Sequence, residues 1–343
     1  MSEPAVSVVI PSYNRAAVLG RAINSVIAQT FDDWEIVLVD DGSTDDTDAL
    51  LARYADRLGP KLRVIRQENA GAAAARNRGI DAARGVFVAF LDSDDEFLPD
   101  KLQRQIELFR IRPELGLVYS DYSFVDLKGV GHQSVLDEFC PRARTVSMKQ
   151  IDTNVTAAPS RLFVCGSDLF DVMLGGYLIS TIVGLTRRTV LGDGLRFPEG
   201  CAYAEEWLFY LQVVRACPAG FVDRPLCLHH HTAQSLSRTN RQANAHQLHR
   251  LFLAMRSNLA PLSNRQARVL HRHLATATAQ LGYIAMRERR FAAAAGRFAQ
   301  SLRHHPRSGI VAPLIESVAR TICPFGRPAN TPQTPAPTSQ ATP

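Results

Sequence analysis

A succession of short apolar runs separated by helical patterns constrains this 343-residue chain more than any other feature. Residues 6–10, 35–39, 62–65, 86–91 and 115–119 have the length and composition of buried parallel strands. Between them lie residues 15–29, with Leu19, Ile23, Val26 and Ile27 on one helical face, and a helix opened by the capping-box pair Ser43 and Asp46. The Ala-rich stretch 71–83 and a helix from Pro99 and Asp100 through Arg110 follow. Pro11 reads as the end of the first strand. Such alternation implies an α/β fold, a mostly parallel Rossmann-like sheet with helices on both faces. These sheets bind ligands beyond the carboxyl ends of their strands, where this chain places the polar clusters 12–15, 40–45 and 92–95.

Composition sets wide limits. The chain is 46% hydrophobic and 21% charged, ordinary for a globular protein of one or two domains with a sizeable core. A net charge of +6 suits a phosphate-bearing ligand or an anionic membrane surface and chooses neither. Cys140, Cys165, Cys201, Cys217, Cys227 and Cys323 form no C-x-x-C pair and read as free thiols in a reducing compartment. The start of the chain has neither the basic residues nor the apolar core of a signal peptide. No stretch approaches the ~18 apolar residues of a membrane span, and residues 310–322 are broken by Pro313, Glu316 and Arg320. A cytoplasmic protein is expected, with a peripheral seat on the inner face of the membrane left open.

The second half is less regular. Residues 128–167 read as loop-rich, 178–186 as a strand, 207–217 as a helix and 221–228 as a strand interrupted by Pro225. From 243 to 305 the pattern is helical throughout. Residues 280–306, with Gly282, Tyr283, Phe291, Ala295, Phe298 and Pro306, resemble one tetratricopeptide helix pair, but one repeat cannot build a solenoid, so an accessory bundle is expected. The Pro-, Thr-, Gln- and Ala-rich tail reads as disordered. The expected division is a main domain over 1–240, a helical extension over 241–325 and a tail over 326–343.

Asp92, Ser93, Asp94 and Asp95 follow an apolar strand directly. Three carboxylates there would repel one another, and a hard divalent cation with oxygen ligands would relieve that repulsion and chelate a diphosphate. A solvated turn that caps the next helix is the other reading. Asp41, at the end of the second strand, suits hydrogen bonds to a base or ribose, or a capped turn. In the first cluster Tyr13 offers a ring for stacking beside Pro11 and Arg15. Arg76 suits a base carbonyl or a phosphate, or a solvated helical face.

Taken in this order and spacing, the four blocks resemble the inverting family 2 glycosyltransferases with the A-type nucleotide-sugar fold. The resemblance is close over residues 5–125, the donor half, and looser through 175–240, in the acceptor half that begins at 126. It implies that Pro11 and Tyr13 line a base pocket, that Asp41 pairs with the base with help from Arg76, and that Arg15 and Ser93 complete the donor set. It further implies that Asp92 binds ribose or metal-bound water and that Asp94 ligates Mn2+ or Mg2+ directly, with Asp92 as a second metal ligand and His231 touching the diphosphate or completing the metal shell, a structural role for the histidines being the other reading. His231 closes the run His229-His230-His231, which cannot all face one ion from a strand. Glu206, where the family carries an aspartate, corresponds to the general base, with Glu205 as the alternative; two acids in a helix's first turn are equally what the helix dipole favours.

The implied reaction is transfer from a nucleoside-diphosphate sugar, UDP-sugars favoured, to a saccharide, lipid-linked or other hydroxyl acceptor in surface polysaccharide or glycoconjugate synthesis. No nucleic-acid partner is expected. A nucleotidyltransferase would need a Gly-rich loop where residues 11–15 have no glycine, and no G-x-G-x-x-G or P-loop supports a dehydrogenase or NTPase. A catalytically degenerate domain that only binds remains the non-enzymatic alternative.

Overall fold

The computed structural model describes residues 3–126, 129, 131–132, 134–136, 142, 145–151, 161–201, 203–230, 241–306 and 308–322. The expected alternation is present. Strands β1 (Val6–Ser12), β2 (Trp34–Asp40), β3 (Leu62–Arg66) and β4 (Phe87–Phe90) are joined by helices α1 (Ala16–Ile27), α2 (Thr47–Leu58) and α3 (Ala72–Ala82). All pair in parallel, in the spatial order β3-β2-β1-β4. β1 and β2 are buried at every position, which is why their apolar residues run together instead of alternating.

Beyond β4 the sheet becomes mixed. After β5 (Glu96–Phe97) and α4 (Lys101–Ile111) come β6 (Leu117–Val125), β7 (Gly131–His132), β8 (Met148–Ile151) and β9 (Arg161–Cys165). Helix α5 (Leu169–Gly175), strand β10 (Leu185–Arg187), helices α6 (Arg188–Leu191) and α7 (Glu205–Ala216) and strand β11 (Ala219–His230) complete the sheet region. β10 lies antiparallel between β4 and β6, and β11 pairs in parallel with β6. The carboxyl ends of β1, β2, β4, β6 and β11 therefore face one edge.

Some local expectations need correction. Pro11 does not end β1: it pairs with Val39, at a point where the ladder to β4 has already stopped at Val9. With a partner strand on one side alone, the missing N–H leaves no bond broken. Ser43 does not cap α2. Asp45 accepts from the Thr47 amide and hydroxyl at 3.1 and 2.5 Å and from the Ala16 amide at 2.9 Å, while Ser43 Oγ accepts from the Asn14 amide. The expected strand over 178–186 is a 3-10 turn, Thr181–Val183, followed by the short β10; at Gly184 between them a Cβ would stand 2.4 Å from the Tyr210 hydroxyl.

Two buried polar side chains knit the layers. Gln105 donates to the carbonyls of Val118 and Val183, and Lys101 Nζ donates to Gln105 Oε1 at 2.6 Å while sitting over the Phe97 ring. Burial pushes Lys101 down to about 8.

The rest is helical: α8 (Arg241–Asn258), α9 (Asn264–Arg287), α10 (Phe291–His304) and α11 (Val311–Ile322). Two compact units divide between His273 and Leu274, inside α9. The second has its own small core of Ala279, Ala285, Ala294, Phe298 and Ile310, against which Met286, Leu302 and Leu314 pack. The pattern residues Gly282 and Phe298 meet there: a Cβ on Gly282 would lie 2.7 Å from the Phe298 ring. Among the described residues no helix is long and apolar enough to cross a membrane. Cys165, Cys201, Cys217 and Cys227 are free thiols, while Cys140, Cys323 and the tail lie outside the described residues.

Helix α3 carries Arg76 and packs directly on β1, and its approach depends on Gly79. A Cβ there would stand 2.2 Å from Val9 Cγ1 and 3.2 Å from Val9 Cβ, so rotating the valine does not clear it. Gly79→Ala gains about 1 kcal/mol of helix propensity but overpacks the core. A net loss of about 1–2 kcal/mol is expected in denaturant unfolding; equal or greater stability would show that α3 shifts freely on the sheet.

Candidate active site

The polar clusters converge on the carboxyl edge. Leu91 is held by its amide to the Val9 carbonyl, and the acid loop 92–95 follows. β5 then pairs antiparallel with β11, Glu96 opposite Leu228, which ties this loop to the end of β11.

The three aspartates of the loop meet three different environments. Asp92 accepts from Arg76 Nη2 at 2.7 Å. Asp95 is fully buried; its carboxylate takes the His230 amide at 2.8 Å and pairs with His229 Nδ1 at 2.9 Å. Burial raises Asp95, and the carboxylate in turn raises His229 above its ordinary range against the cost of burying that ring. Asp94, half-buried, is raised by burial and by the neighbouring Asp92 charge, against the opposing pull of Arg15 and His229. A cation at this loop would relieve the remaining repulsion. The carboxylates suit a hard ion, although no cluster of three ligating side chains is preformed among the described residues. Mg2+-like sites often use one or two carboxylates and take their remaining ligands from substrate phosphates and water, so the residues present fit such an ion.

Arg76 joins the two halves of the sheet region. Its Nη1 donates to Glu205 Oε1 at 2.7 Å while Nη2 holds Asp92. The guanidinium lies over Phe197, which stacks on Phe209 at 3.9 Å and meets Phe90 edge-on. Although burial opposes its charge, Asp92 and Glu205 outweigh that cost and raise Arg76 further. Its next neighbour, Asn77, clasps Phe197 by both backbone groups and bonds Glu199. The solvated-face reading of Arg76 is thus replaced by a buried bridge. Arg76 Nε and Ser12 Oγ are buried with no partner among the described residues, which is how a site awaiting polar ligand atoms looks.

Glu205 and Glu206 open α7 directly after Ala204, whose φ of 58° and ψ of 26° are left-handed. That conformation costs a non-glycine residue about 1–2 kcal/mol and sets the direction in which both acids enter the site. Glu205 is committed to Arg76. Glu206 instead accepts from the Tyr177 hydroxyl at 2.8 Å. Burial and the adjacent Glu205 push Glu206 up to about 7, against Arg76 and the Tyr177 bond. A carboxyl group poised there can take a proton near neutral pH.

On the nucleotide side, Tyr13 is 47% exposed at the end of β1, while Pro11 beside it is buried. Asp41 is occupied by its own chain: Gln67 Nε2 and the Ala70 amide donate to Oδ1, and the Gly71 amide donates to Oδ2 at 2.8 Å. It shapes the loop that launches α3. Ser93 is buried within the acid loop. His231 lies outside the described residues. Sequence reasoning missed Tyr177, Asp95 paired with His229, and His230 paired with Glu96 at 2.6 Å. The histidine run was the only signal for the pairs, and Tyr177 had none. A separate hollow lined by Phe31, Asp32, Phe87, Phe109 and Arg187 opens at the amino end of β4, away from these acids.

Residues 7–165 match the family model described as glycosyl transferase family 2. Over these residues, just under half of the chain, the protein is similar to the family 2 glycosyltransferases. Relatives agree. A putative teichuronic acid biosynthesis glycosyltransferase, TuaG of Bacillus subtilis, is 38% identical over 138 residues, 40% of this chain and 52% of that protein. A UDP-Glc:alpha-D-GlcNAc-diphosphoundecaprenol beta-1,3-glucosyltransferase, WfgD of Escherichia coli, is 35% identical over 127 residues, 37% of this chain and 49% of that protein. The matched segments thus span about half the length of these relatives. Among solved structures, S. aureus TarS 1–349 in complex with UDP-GlcNAc superposes with a TM-score of 0.62 at 19% identity, over 92% of this chain and 88% of that one. The mannosyltransferase PcManGT from Pyrobaculum calidifontis, in complex with GDP-Man and Mn2+, superposes with a TM-score of 0.52 at 18% identity, over 95% and 89%. These two likenesses establish the fold.

Removing Arg76 strands the buried Glu205. Arg76→Met is expected to cost about 3–5 kcal/mol in denaturant unfolding, with part regained in the double variant Arg76→Met/Glu205→Gln. Additive losses in the pair would show that the bridge contributes nothing as a unit.

Proposed function

We propose that the chain transfers a sugar from a nucleoside-diphosphate sugar to an acceptor hydroxyl with inversion, in the synthesis of a surface polysaccharide or glycoconjugate. The observation that carries this reading is the array Asp92–Arg76–Glu205, which brings the acid loop of the donor half to the helix that bears Glu206. The family 2 match supports the reaction class, and the TarS complex with UDP-GlcNAc supports a UDP-sugar as donor. WfgD, whose name specifies a diphosphoundecaprenol-linked acceptor, supports a lipid-linked one.

Each residue has a chemical task in this reading. Tyr13 stacks on the base beside Pro11, and Asp41 keeps the 67–71 loop open for it while retaining acceptor capacity. Ser12 Oγ and Arg76 Nε, buried with no partner among the described residues, meet polar atoms of the donor. Asp94 and Asp92 would hold Mn2+ or Mg2+, which when bound offsets negative charge on the departing diphosphate. Arg15 adds positive charge at Asp94. Glu206 accepts the proton of the acceptor hydroxyl as its oxygen attacks the anomeric carbon from the face opposite the nucleotide. One displacement at that carbon inverts it. Tyr177 fixes Glu206 Oε1 and steadies the carboxylate.

Donor binding is tested by thermal shift with UDP, GDP, CDP and TDP, with and without Mn2+. Metal-dependent stabilisation by one nucleotide, lost in Asp94→Ala, is expected; no response to any nucleotide in a folded sample would remove the donor site.

The base is tested by pH. It works deprotonated, so transfer should rise with pH through an apparent pKa near 7 and fall away below it. Glu206→Gln should lower kcat by about 10²–10⁴ with the donor KM little changed. In Tyr177→Phe the loss of a bond to the charged form should move the rising limb to higher pH. A profile unmoved in both variants would exclude Glu206 as base, and product of retained configuration would exclude the single displacement.

A further inference from the structure

The net charge of the chain is unevenly placed. Residues 274–343 contain eight arginines, two glutamates and neither lysine nor aspartate, a net of +6. The whole chain also sums to +6, so residues 1–273 sum to zero. All of the excess positive charge belongs to the second compact unit, which begins at Leu274.

That unit also carries an apolar stripe that its own core does not cover. On α11, Val311, Ile315 and Val318 are 43%, 63% and 42% exposed. Their spacing of four and three residues puts them on one face of the helix. Leu314, on the core-side flank of that face, packs on the Ala294–Phe298 core, and Ser317 beyond it is buried. Glu316 and Arg320 pair with each other at 2.8 Å. The Arg320 guanidinium sits 5.4 Å from the Phe291 ring, which places the carboxyl end of α11 at the start of α10. The end of α9 and the turn that precedes α10 carry the exposed residues Arg287, Arg289 and Arg290, of which Arg290 pairs with Glu288.

We propose that α11 and the neighbouring arginine turn dock on an anionic phospholipid bilayer, with the aliphatic stripe entering the headgroup boundary and the arginines meeting lipid phosphates. An exposed aliphatic face inside a strongly basic unit has the two properties that hold an interfacial helix on an anionic leaflet. A second copy of the chain is a poorer occupant. Two units of like charge repel, and three partly exposed aliphatic side chains fall far short of the roughly 800 Å² per partner that a stable interface buries. The surface is independent of the transfer reaction, so loss of one does not bear on the other.

The test is co-sedimentation of the full chain with phosphatidylglycerol-containing vesicles and with vesicles of phosphatidylcholine alone. Binding to the anionic vesicles is expected, weakened by raised salt and about tenfold or more weaker on phosphatidylcholine. Ile315→Asp, at the most exposed point of the stripe, and Arg287→Ser/Arg289→Ser, at the end of α9 and in the turn, should each weaken it by about tenfold with unchanged melting temperature. Failure to sediment with anionic vesicles would overturn the proposal. So would binding indifferent to both variants. Vesicle-free self-association in sedimentation velocity that Ile315→Asp abolishes would give the stripe to a second copy instead.

Discussion

A buried guanidinium that cannot shed its charge must find carboxylates wherever the fold provides them. Arg76 finds one 16 residues away, on the acid loop, and one 129 residues away, at the start of α7. Both bonds are short and the ring of Phe197 closes one face. The close seat of α3 on β1 at Gly79 aims the side chain, and the left-handed turn at Ala204 aims its distant partner. The chemistry on either side of this bridge is therefore held in register by a single ion that water does not screen well.

The acid loop shows how one short motif serves several ends. Adjacent carboxylates in similar surroundings would share a fate. Here Asp95 is sealed in the core and anchors the end of β11 through His229 and the His230 amide. Asp92 belongs to the bridge, and Asp94 is left to face the repulsion that a bound cation would relieve. Anchoring by Asp95 and the pairing of β5 with β11 restrain a loop that the sequence shows only as a turn after a strand.

What could be read in advance was what local periodicity records. The parallel strands 62–65 and 86–91 and the helices between them stand within a residue or two of their expected limits. The edge at which the acids gather followed from the same pattern. Partnerships were not legible. Nothing near Tyr177 marks it as the donor to Glu206, 29 positions later. Asp41 looks like a ligand group, yet much of its hydrogen-bonding capacity goes to loop amides. Lys101 has the charge of a surface residue and lies buried over Phe97. Pro11 stays in a strand because a neighbouring ladder ends two residues earlier, a fact about another segment. The interrupted stretch 178–186 was misread for a similar reason, since Gly184 answers to Tyr210 and not to its own neighbours.

The division of charge between the two units bears on handling as well as on recognition. A fragment ending at His273 would have a formal net charge of zero with its histidines neutral, because its Asp and Glu balance its Lys and Arg. Colloidal repulsion, which keeps a charged chain dispersed, would then be at its weakest. On that ground the basic helices would supply the charge that keeps the sheet region dispersed, and trimming the chain to residues 1–273 would remove it.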